Sequence, residues 1–260
     1  DFSKNSINSL NETFLSFKNE DINELILDLR YNIGGGSFAK SIANLASMIT
    51  GQFTDEVFIK EQWNLKAQPW FEANQPDSLL TKFPDKLNAT IPFNSLNLTD
   101  LYIVLNGNNY SGSSAIELLI NSLNPHINIH LIGTNTAGNN TGAITLYNSE
   151  DYDFRFKNET HTIALQPIVL SFLNKNDQSY ENGFIPSIAL CPNEDILNLG
   201  LLGERTEPIL ERVLESITSG NTGLNTTCNP NNYIFLYNSI NTQRTIDQGV
   251  FIEQNLPNTY

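Results

Sequence analysis

The sequence predicts an α/β fold, and three observations support that prediction. Three short apolar segments have the length and composition of buried strands, at residues 24–29, 101–105 and 127–132. A loop rich in glycine or small polar residues follows each of them, and the first two loops lead into a segment with helical spacing. Strand, loop and helix in this order are typical of a parallel sheet whose loops meet at one edge, where ligands usually bind.

Helices and further strands are predicted around these three segments. Apolar residues at helical spacing predict helices over 5–19, 37–49 and 114–123. The pair Glu207-Pro208 predicts the start of a helix within 197–217, because proline is favoured in the first turn. Further strands are predicted near 143–147, 161–173, 233–237 and 249–252.

Length and composition predict one main domain with two additions. The chain has 260 residues and a mass of 29.1 kDa, which suffices for one large domain. The segment 51–97 contains Trp63, Trp70 and several prolines, and we expect it to form a loop-rich insertion or lid. The composition shifts to Asn, Thr and Pro near the C-terminus. We therefore predict a core at 1–218 and a C-terminal extension at 219–260.

The charge balance excludes two classes of partner. Lys and Arg number 14 against 28 Asp and Glu, for a formal net charge of -14, and the chain has nine lysines against 37 asparagines. A protein that binds nucleic acid or an anionic membrane surface needs a basic surface, and this sequence offers none. The apolar stretches fall short of the roughly 20 residues of a membrane-spanning helix. We expect no nucleic-acid partner and no transmembrane segment.

The two cysteines leave two interpretations open. Cys191 and Cys228 are far apart in sequence, with no C-x-x-C pattern and no Cys/His cluster, so no metal site is expected. They are either two unrelated thiols or one disulfide that ties the C-terminal extension to the main body. The disulfide would require an oxidising compartment.

The loops after the predicted strands favour acyl transfer over phosphate binding, without establishing it. Neither G-x-x-x-x-G-K-[ST] nor G-x-G-x-x-G occurs, so nucleotide binding has little support. A serine in the turn before the helix at 114–123 is either a nucleophile or an ordinary N-cap, and the N-cap is the commoner role. The serines of that turn are Ser111, Ser113 and Ser114. No pattern links them to the histidines, which are His126, His130 and His161.

Three motifs resemble those of the S41 serine peptidases, the C-terminal processing (tail-specific) peptidases. Residues 25–37, LILDLRYNIGGGS, closely resemble the family motif L-x-L-D-L-R-x-N-x-G-G. Residues 114–118, SAIEL, are similar to S-A-S-E-L, and residues 132–142 resemble V-G-E-x-T-x-G-K-x-x-G. The segments 183–186 and 199–204 fit the bacterial envelope (Bacteroidetes-like) branch. The resemblance spans residues 7–217 and implies a ClpP/crotonase-like α/β fold.

The resemblance also implies roles for individual residues. Ser114 would be the nucleophile, and the N–H groups of Ala115 and Gly35 would form the oxyanion hole. The positions that support the site are occupied by Gly34, Glu117 and Thr136. No cofactor is implied, and the substrate would be a polypeptide bound as an extended strand. The family's PDZ and N-terminal regions are missing from this sequence, so we expect them as partner domains in a full-length protein of the periplasm or cell envelope, with a lipid anchor.

One departure from the family pattern limits the transfer of function. Family members use a lysine as general base, and the residue at that position is Asn139. An amide has no useful basicity near pH 7, and the loss of a general base lowers a rate by about 10² to 10⁴. The glutamine that assists some relatives is replaced by Ala143. The chain is an inactive relative, carries a deliberate Lys-to-Asn change, or uses a base from elsewhere such as Lys40, whose ordinary role is that of a solvated helix residue.

Three functions remain open on the sequence. The first is an S41-type serine endopeptidase with impaired or lost activity. The second is a non-catalytic module that binds a peptide or an apolar ligand on the same fold. The third is a structural domain in which Trp63 and Trp70 pack against another domain.

Overall fold

The computed structural model describes residues 6–30, 32, 37–105, 114–190, 200–220 and 250–251, and it confirms the α/β prediction. The helices are α1 (Ile7–Asn19), α2 (Ala39–Ile49), α3 (Gln68–Asn74), α4 (Ser114–Leu123) and α5 (Pro208–Ser219). The first six strands are β1 (Ile26–Asp28), β2 (Ser37–Phe38), β3 (Val57–Trp63), β4 (Leu80–Lys82), β5 (Asp100–Val104) and β6 (Asn128–Gly133). The others are β7 (Thr141–Ala143), β8 (Leu146–Tyr147), β9 (Ala164–Leu165), β10 (Ile168–Leu173), β11 (Ile188–Ala189) and β12 (Val250–Phe251).

The predicted parallel sheet is present. Its strand order is β1-β5-β6-β11, and every neighbouring pair is parallel. Ile26 lies opposite Tyr102, and Val104 lies opposite Ile132. Strand β1 lies within the first motif, β6 runs into the third, and β5 is the strand that precedes α4 in the chain. Because the three strands are parallel, the described residues that follow them leave the sheet at one edge.

A second, mixed sheet lies beside the first. Its order is β2-β12-β7-β10-β3-β4, in which β12 is parallel to both β2 and β7. The pairs β7-β10, β10-β3 and β3-β4 are antiparallel. The hairpin β8-β9 follows β7 and precedes β10 in the chain, as a separate two-stranded sheet.

Side chains of the parallel sheet alternate between two hydrophobic clusters. Leu101 and Ile103 of β5 pack in the main core, together with the buried residues of α2 and α4 and of the mixed sheet. Tyr102 and Val104 face the other way and pack with Val213 of α5. All ten residues of α4 are buried, as expected for a helix that is apolar on most faces and lies between two layers.

The segment 51–97, predicted to be a loop-rich insertion or lid, contains regular elements as well as loops. This segment supplies β3, α3 and β4, and Phe58 and Phe71 are fully buried in the main core. Trp63 is also buried, with its ring centroid 4.5 Å from that of Phe71. Because Trp63 packs within its own chain, it is not available to pack against another domain as the structural hypothesis required.

Two smaller differences concern β2 and β12. Residues Ser37 and Phe38 form a strand, although the helix that follows was predicted to begin there. The strand predicted at 249–252 is observed as β12, which lies between β2 and β7 in the mixed sheet. The strand predicted at 233–237 and both cysteines lie outside the described residues. Within the described part of the chain, no helix has the length and apolar character needed to cross a membrane.

A buried carboxyl in β3 makes stability depend on pH. Burial raises the pKa of Glu61 from 4.5 to about 7, and a hydrogen bond from Trp63 Nε1, at 3.1 Å, only partly offsets that effect. The folded chain keeps a proton that the unfolded chain releases, so this contribution is complete below pH 4.5 and is lost as the pH rises to about 7. We expect the free energy of unfolding to fall by roughly 1.4 kcal/mol per pH unit in that window.

Urea unfolding at about pH 5, pH 6 and pH 8 tests this prediction. Glu61→Gln should remove this fall, whereas Glu72→Gln, a change of the same kind at an exposed position, should keep it. Equal pH dependence in both variants would contradict the assignment to Glu61.

Candidate active site

The three motifs differ in how much of each the structure describes. Gly34 and Gly35 of the first motif lie outside the described residues, as does the serine turn before α4. Ser114 and Ala115 begin α4. The loop from β6 to β7 is described throughout, and it carries the remaining predicted site residues, Thr136 and Asn139.

The start of α4 presents Ser114 at a helix N-terminus. Ser114 is 4% exposed and Ala115 is 1% exposed, so both lie at the edge of the core. N–H groups in the first turn of a helix have no acceptor within that helix, and they carry the positive end of its dipole. This environment can stabilise a negative oxygen that develops next to the Ser114 side chain.

Glu117 joins α4 to the loop that contains Asn139. Its carboxylate is fully buried and accepts hydrogen bonds from the backbone N–H of Gly138, at 2.5 Å, and of Asn139, at 2.7 Å. Glu117 lies one helical turn after Ser114, so these two bonds hold the backbone of Asn139 against the first turn of α4. The structure thus brings together Ser114, Glu117 and Asn139 from two separate motifs.

The same loop is fixed on its other side by the segment 181–184. Thr136 donates its N–H to the carbonyl of Phe184 at 3.1 Å, and the N–H of Phe184 donates to Thr136 Oγ1 at 2.8 Å. Gly138 has φ +82°, and a Cβ there would lie 2.1 Å from the carbonyl oxygen of Glu181. Only glycine accommodates both that conformation and that close approach. Thr136 and Gly138 therefore set the path of the loop rather than its chemistry.

The side chain of Asn139 lies on the exposed surface of the loop. Its Oδ1 accepts a hydrogen bond from Thr141 Oγ1 at 2.7 Å and a longer one from the Thr141 N–H at 3.4 Å. The next residue, Asn140, is buried, and its Nδ2 has no hydrogen-bond partner in the described part of the chain. Neither amide can accept a proton from a serine near neutral pH.

Tyr180 is a further buried group beside Glu117. Burial, and to a smaller degree the charge of Glu117, raise the pKa of Tyr180 well above its ordinary value. Its phenol therefore stays neutral near pH 7 and is not a base for Ser114. The ring of Tyr180 stacks on Phe184, which ties it to the same loop contacts.

Arg30 of the first motif forms a buried ionic cluster. Its guanidinium lies 2.7 Å from Asp28 Oδ2 and 2.8 Å from Glu207 Oε1. Burial alone would lower the pKa of Arg30, but the hydrogen bonds and charges of Asp28 and Glu207 outweigh it and raise that pKa above its ordinary value. Glu207 also accepts a hydrogen bond from the Leu210 N–H at 2.8 Å, as the N-cap of α5.

The histidines lie in other surroundings. Phe53 and Phe83 pack against the His126 ring, and burial, followed by the charge of Lys175, lowers its pKa. His130 forms a hydrogen bond with Asp100, and His161 forms one with Asn148. Among the residues that the structure describes, no group of His, Cys, Asp and Glu could hold a metal ion.

Sequence reasoning did not identify Glu207 and Tyr180 as neighbours of motif residues. Glu207 was noted only as the start of a helix, and its partner Arg30 is 177 residues away in the chain. No local pattern marks such a contact. Arg30 itself lies in a recognised motif, and a buried partner for it could have been sought among the acidic residues near the predicted helix starts.

Comparisons with known proteins agree with these motifs. Residues 1–187 match the sequence profile of peptidase family S41. No curated protein matches the chain. Among solved structures, one from Bacteroides fragilis NCTC 9343, classed as an S41 protease, is 24% identical with a TM-score of 0.66, covering 82% of this chain and 49% of that one. The present chain thus spans about half the length of that structure.

Two further solved structures are similar to a smaller share of this chain. The photosystem II D1 C-terminal processing protease is 17% identical, with a TM-score of 0.47 and coverage of 74% of this chain and 41% of that one. A lipoprotein from Streptococcus agalactiae is 18% identical, with a TM-score of 0.44 and coverage of 72% and 57%.

The similarity to the Bacteroides fragilis structure confirms the predicted ClpP/crotonase-like fold. The profile match extends over well more than half of the chain and includes all three motifs. The chain therefore belongs to peptidase family S41.

Proposed function

We propose that this chain carries the serine-peptidase site of its family, with Ser114 as the nucleophile and with catalysis strongly reduced by Asn139. The pair of hydrogen bonds from Gly138 and Asn139 to Glu117 is the observation that carries this proposal. These bonds connect the helix that begins with Ser114 to the loop where the family has its base. The scaffold for the reaction is retained, although the base is not.

The chemistry explains why the base matters. In acyl transfer, the Ser114 oxygen bonds to the carbonyl carbon of a peptide, and its proton must pass to a base. The carbonyl oxygen becomes an oxyanion, which the N–H groups of Ala115 and Gly35 would stabilise. The proton then goes to the departing amine, and water hydrolyses the ester that remains. Asn139 cannot take part in either proton transfer, because an amide is neither a base nor an acid near pH 7.

A polypeptide in extended form is the substrate that we propose. The support is the family together with a mixed sheet whose strands border the site, since peptidases commonly bind substrate by main-chain hydrogen bonds to a strand. We further propose, from the sequence resemblance, that the full-length protein works in the bacterial envelope with a PDZ or N-terminal domain as partner.

Reaction with a fluorophosphonate probe tests the role of Ser114. We expect slow labelling of the chain, in which the serine oxygen displaces fluoride from phosphorus, and loss of labelling in Ser114→Ala. Ser122→Ala is the matched control, because Ser122 is a fully buried serine of the same helix. Equal labelling of the chain and of Ser114→Ala would contradict the assignment.

A non-catalytic binding module is the second candidate. Its specific support is the Asn139 side chain, which is engaged with Thr141. In that case calorimetry should detect peptide or lipid binding without turnover, and Asn139→Lys should restore no reaction. The two candidates therefore differ in the outcome of one substitution.

A further inference from the structure

Two of the contacts that flank the first glycine motif come from the C-terminal part of the chain. The structure describes Arg30 and Asn32 on one side of the three glycines and strand β2 on the other. On each side one long-range partner lies beyond residue 200, whereas the match to the family profile ends at residue 187. On the first side, β1 and Leu29 also pair with β5.

Glu207 anchors Arg30, which lies before the glycines in the chain. Arg30 is 9% exposed and Glu207 is 2% exposed, so their ion pair is shielded from solvent. Two hydrogen bonds join them, from Arg30 Nη1 to Oε1 at 2.8 Å and from Nη2 to Oε2 at 3.3 Å. The planar guanidinium also contacts Asp28, which fixes its orientation. Arg30 therefore cannot move without breaking a buried charge pair.

Strand β12 pairs with β2, the strand that follows the glycines in the chain. Val250 lies opposite Ser37 of β2 and opposite Gly142 of β7, and Phe251 lies opposite Phe38 and Ala143. Within the described residues, β12 is the strand that connects β2 to the rest of the mixed sheet. Val250 is fully buried in the main core. β12 thus joins the strand after the first motif to the strand after the loop of Asn139.

We propose that Glu207 and β12 are positioning elements of the active site, which hold the described residues on either side of the glycines, Arg30 and β2, in place relative to the Asn139 loop. The C-terminal part of the chain then belongs to the catalytic unit and is not an appendage to it. This inference rests on the proposed function for the role of the glycine motif as oxyanion donor. The positioning itself can be measured without any reaction.

Two valine variants of the full chain test the contribution of β12. Val250→Ala and Val213→Ala remove the same two methyl groups from fully buried sites, one in β12 and one in α5. Both should lower thermal stability to a similar degree. Only Val250→Ala should accelerate amide hydrogen exchange at residues 37–38 and 141–143, by about tenfold relative to Val213→Ala. It should also slow fluorophosphonate labelling.

Two glutamate variants test the contribution of Glu207. Glu207→Gln keeps the shape of the side chain but removes its charge, and Glu211→Gln makes the same change at an exposed position of the same helix. Only Glu207→Gln should accelerate exchange in a peptide fragment that covers residues 29–38. Labelling should slow in parallel.

The exchange data separate failure of this inference from failure of the proposed function. The positioning role is wrong if the amide exchange rates near β2 and β7 are the same in Val250→Ala and Val213→Ala, and if the rates over residues 29–38 are the same in Glu207→Gln and Glu211→Gln. If exchange changes as expected while no variant or parent chain is labelled, the positioning stands and the role of Ser114 is wrong. A selective loss of labelling without a change in exchange would also overturn the inference.

Discussion

Replacing Asn139 with lysine is expected to increase the rate of fluorophosphonate labelling and of peptide hydrolysis by about 10²- to 10⁴-fold, the contribution of a general base. The backbone of Asn139 is held by Glu117, which lies one helical turn after Ser114, and this is the position at which the family has its lysine. A lysine acts as a base only when neutral, so the rate of the variant should rise with pH. Stopped assays with a fluorescent peptide at several pH values measure both effects.

The controls for this variant isolate the position and the nucleophile. Asn135→Lys makes the same substitution at an exposed residue of the same loop and should give no gain. Combining Asn139→Lys with Ser114→Ala should abolish the gain. If Asn139→Lys is folded, as judged by its thermal unfolding, and yet reacts no faster than the parent chain, the binding-module function is favoured.

Removing the Glu207 side chain is expected to lower the free energy of unfolding by about 3 kcal/mol. Breaking a buried ion pair leaves one charge without its partner, and the loss lies at the lower end of the usual range because Asp28 still contacts Arg30. The N-cap hydrogen bond to Leu210 is lost as well. Urea unfolding of Glu207→Ala against the parent chain measures the difference.

A double-mutant cycle distinguishes the ion pair from the cap. Glu211→Ala is the control within α5 and should change stability by less than about 0.5 kcal/mol, because its side chain is exposed. The double variant Arg30→Met/Glu207→Ala should lose less free energy of unfolding than the sum of the two single losses. Once one partner has been removed, removal of the other no longer leaves a buried charge without its partner. Simple additivity would show that the pair contributes nothing beyond the cap.

The parallel sheet and the helices next to it could be predicted because each element has a local signal. The apolar run of β5 and the apolar surface of α4 both follow from the order of residues alone. Strand β3 was missed because Lys60, Glu61 and Gln62 interrupt its apolar pattern, and Glu61 is nevertheless buried. Burial of a carboxyl group depends on neighbours that the local sequence does not reveal.

The candidate site, too, could be predicted only in part. Ser114, Glu117 and Asn139 were identified because the motifs have fixed spacing, but spacing alone does not show that Glu117 binds the backbone of Asn139. The contacts of Glu207 and Val250 join residues far apart in sequence, and such pairings depend on the complete fold. One sequence without its homologues carries no record of them.

The place of β12 in the sheet has a consequence for the order in which the molecule acquires its structure. A chain is synthesised from its N-terminus, and a domain generally folds as a unit. Contacts between residues far apart in sequence form late, because a long loop must close first. Strand β2 would therefore wait for Val250 and Phe251 before it is secured in the sheet. The mixed sheet would then be completed only after synthesis has passed these two residues, so the order of β2, β12 and β7 in space is not the order in which the chain is made.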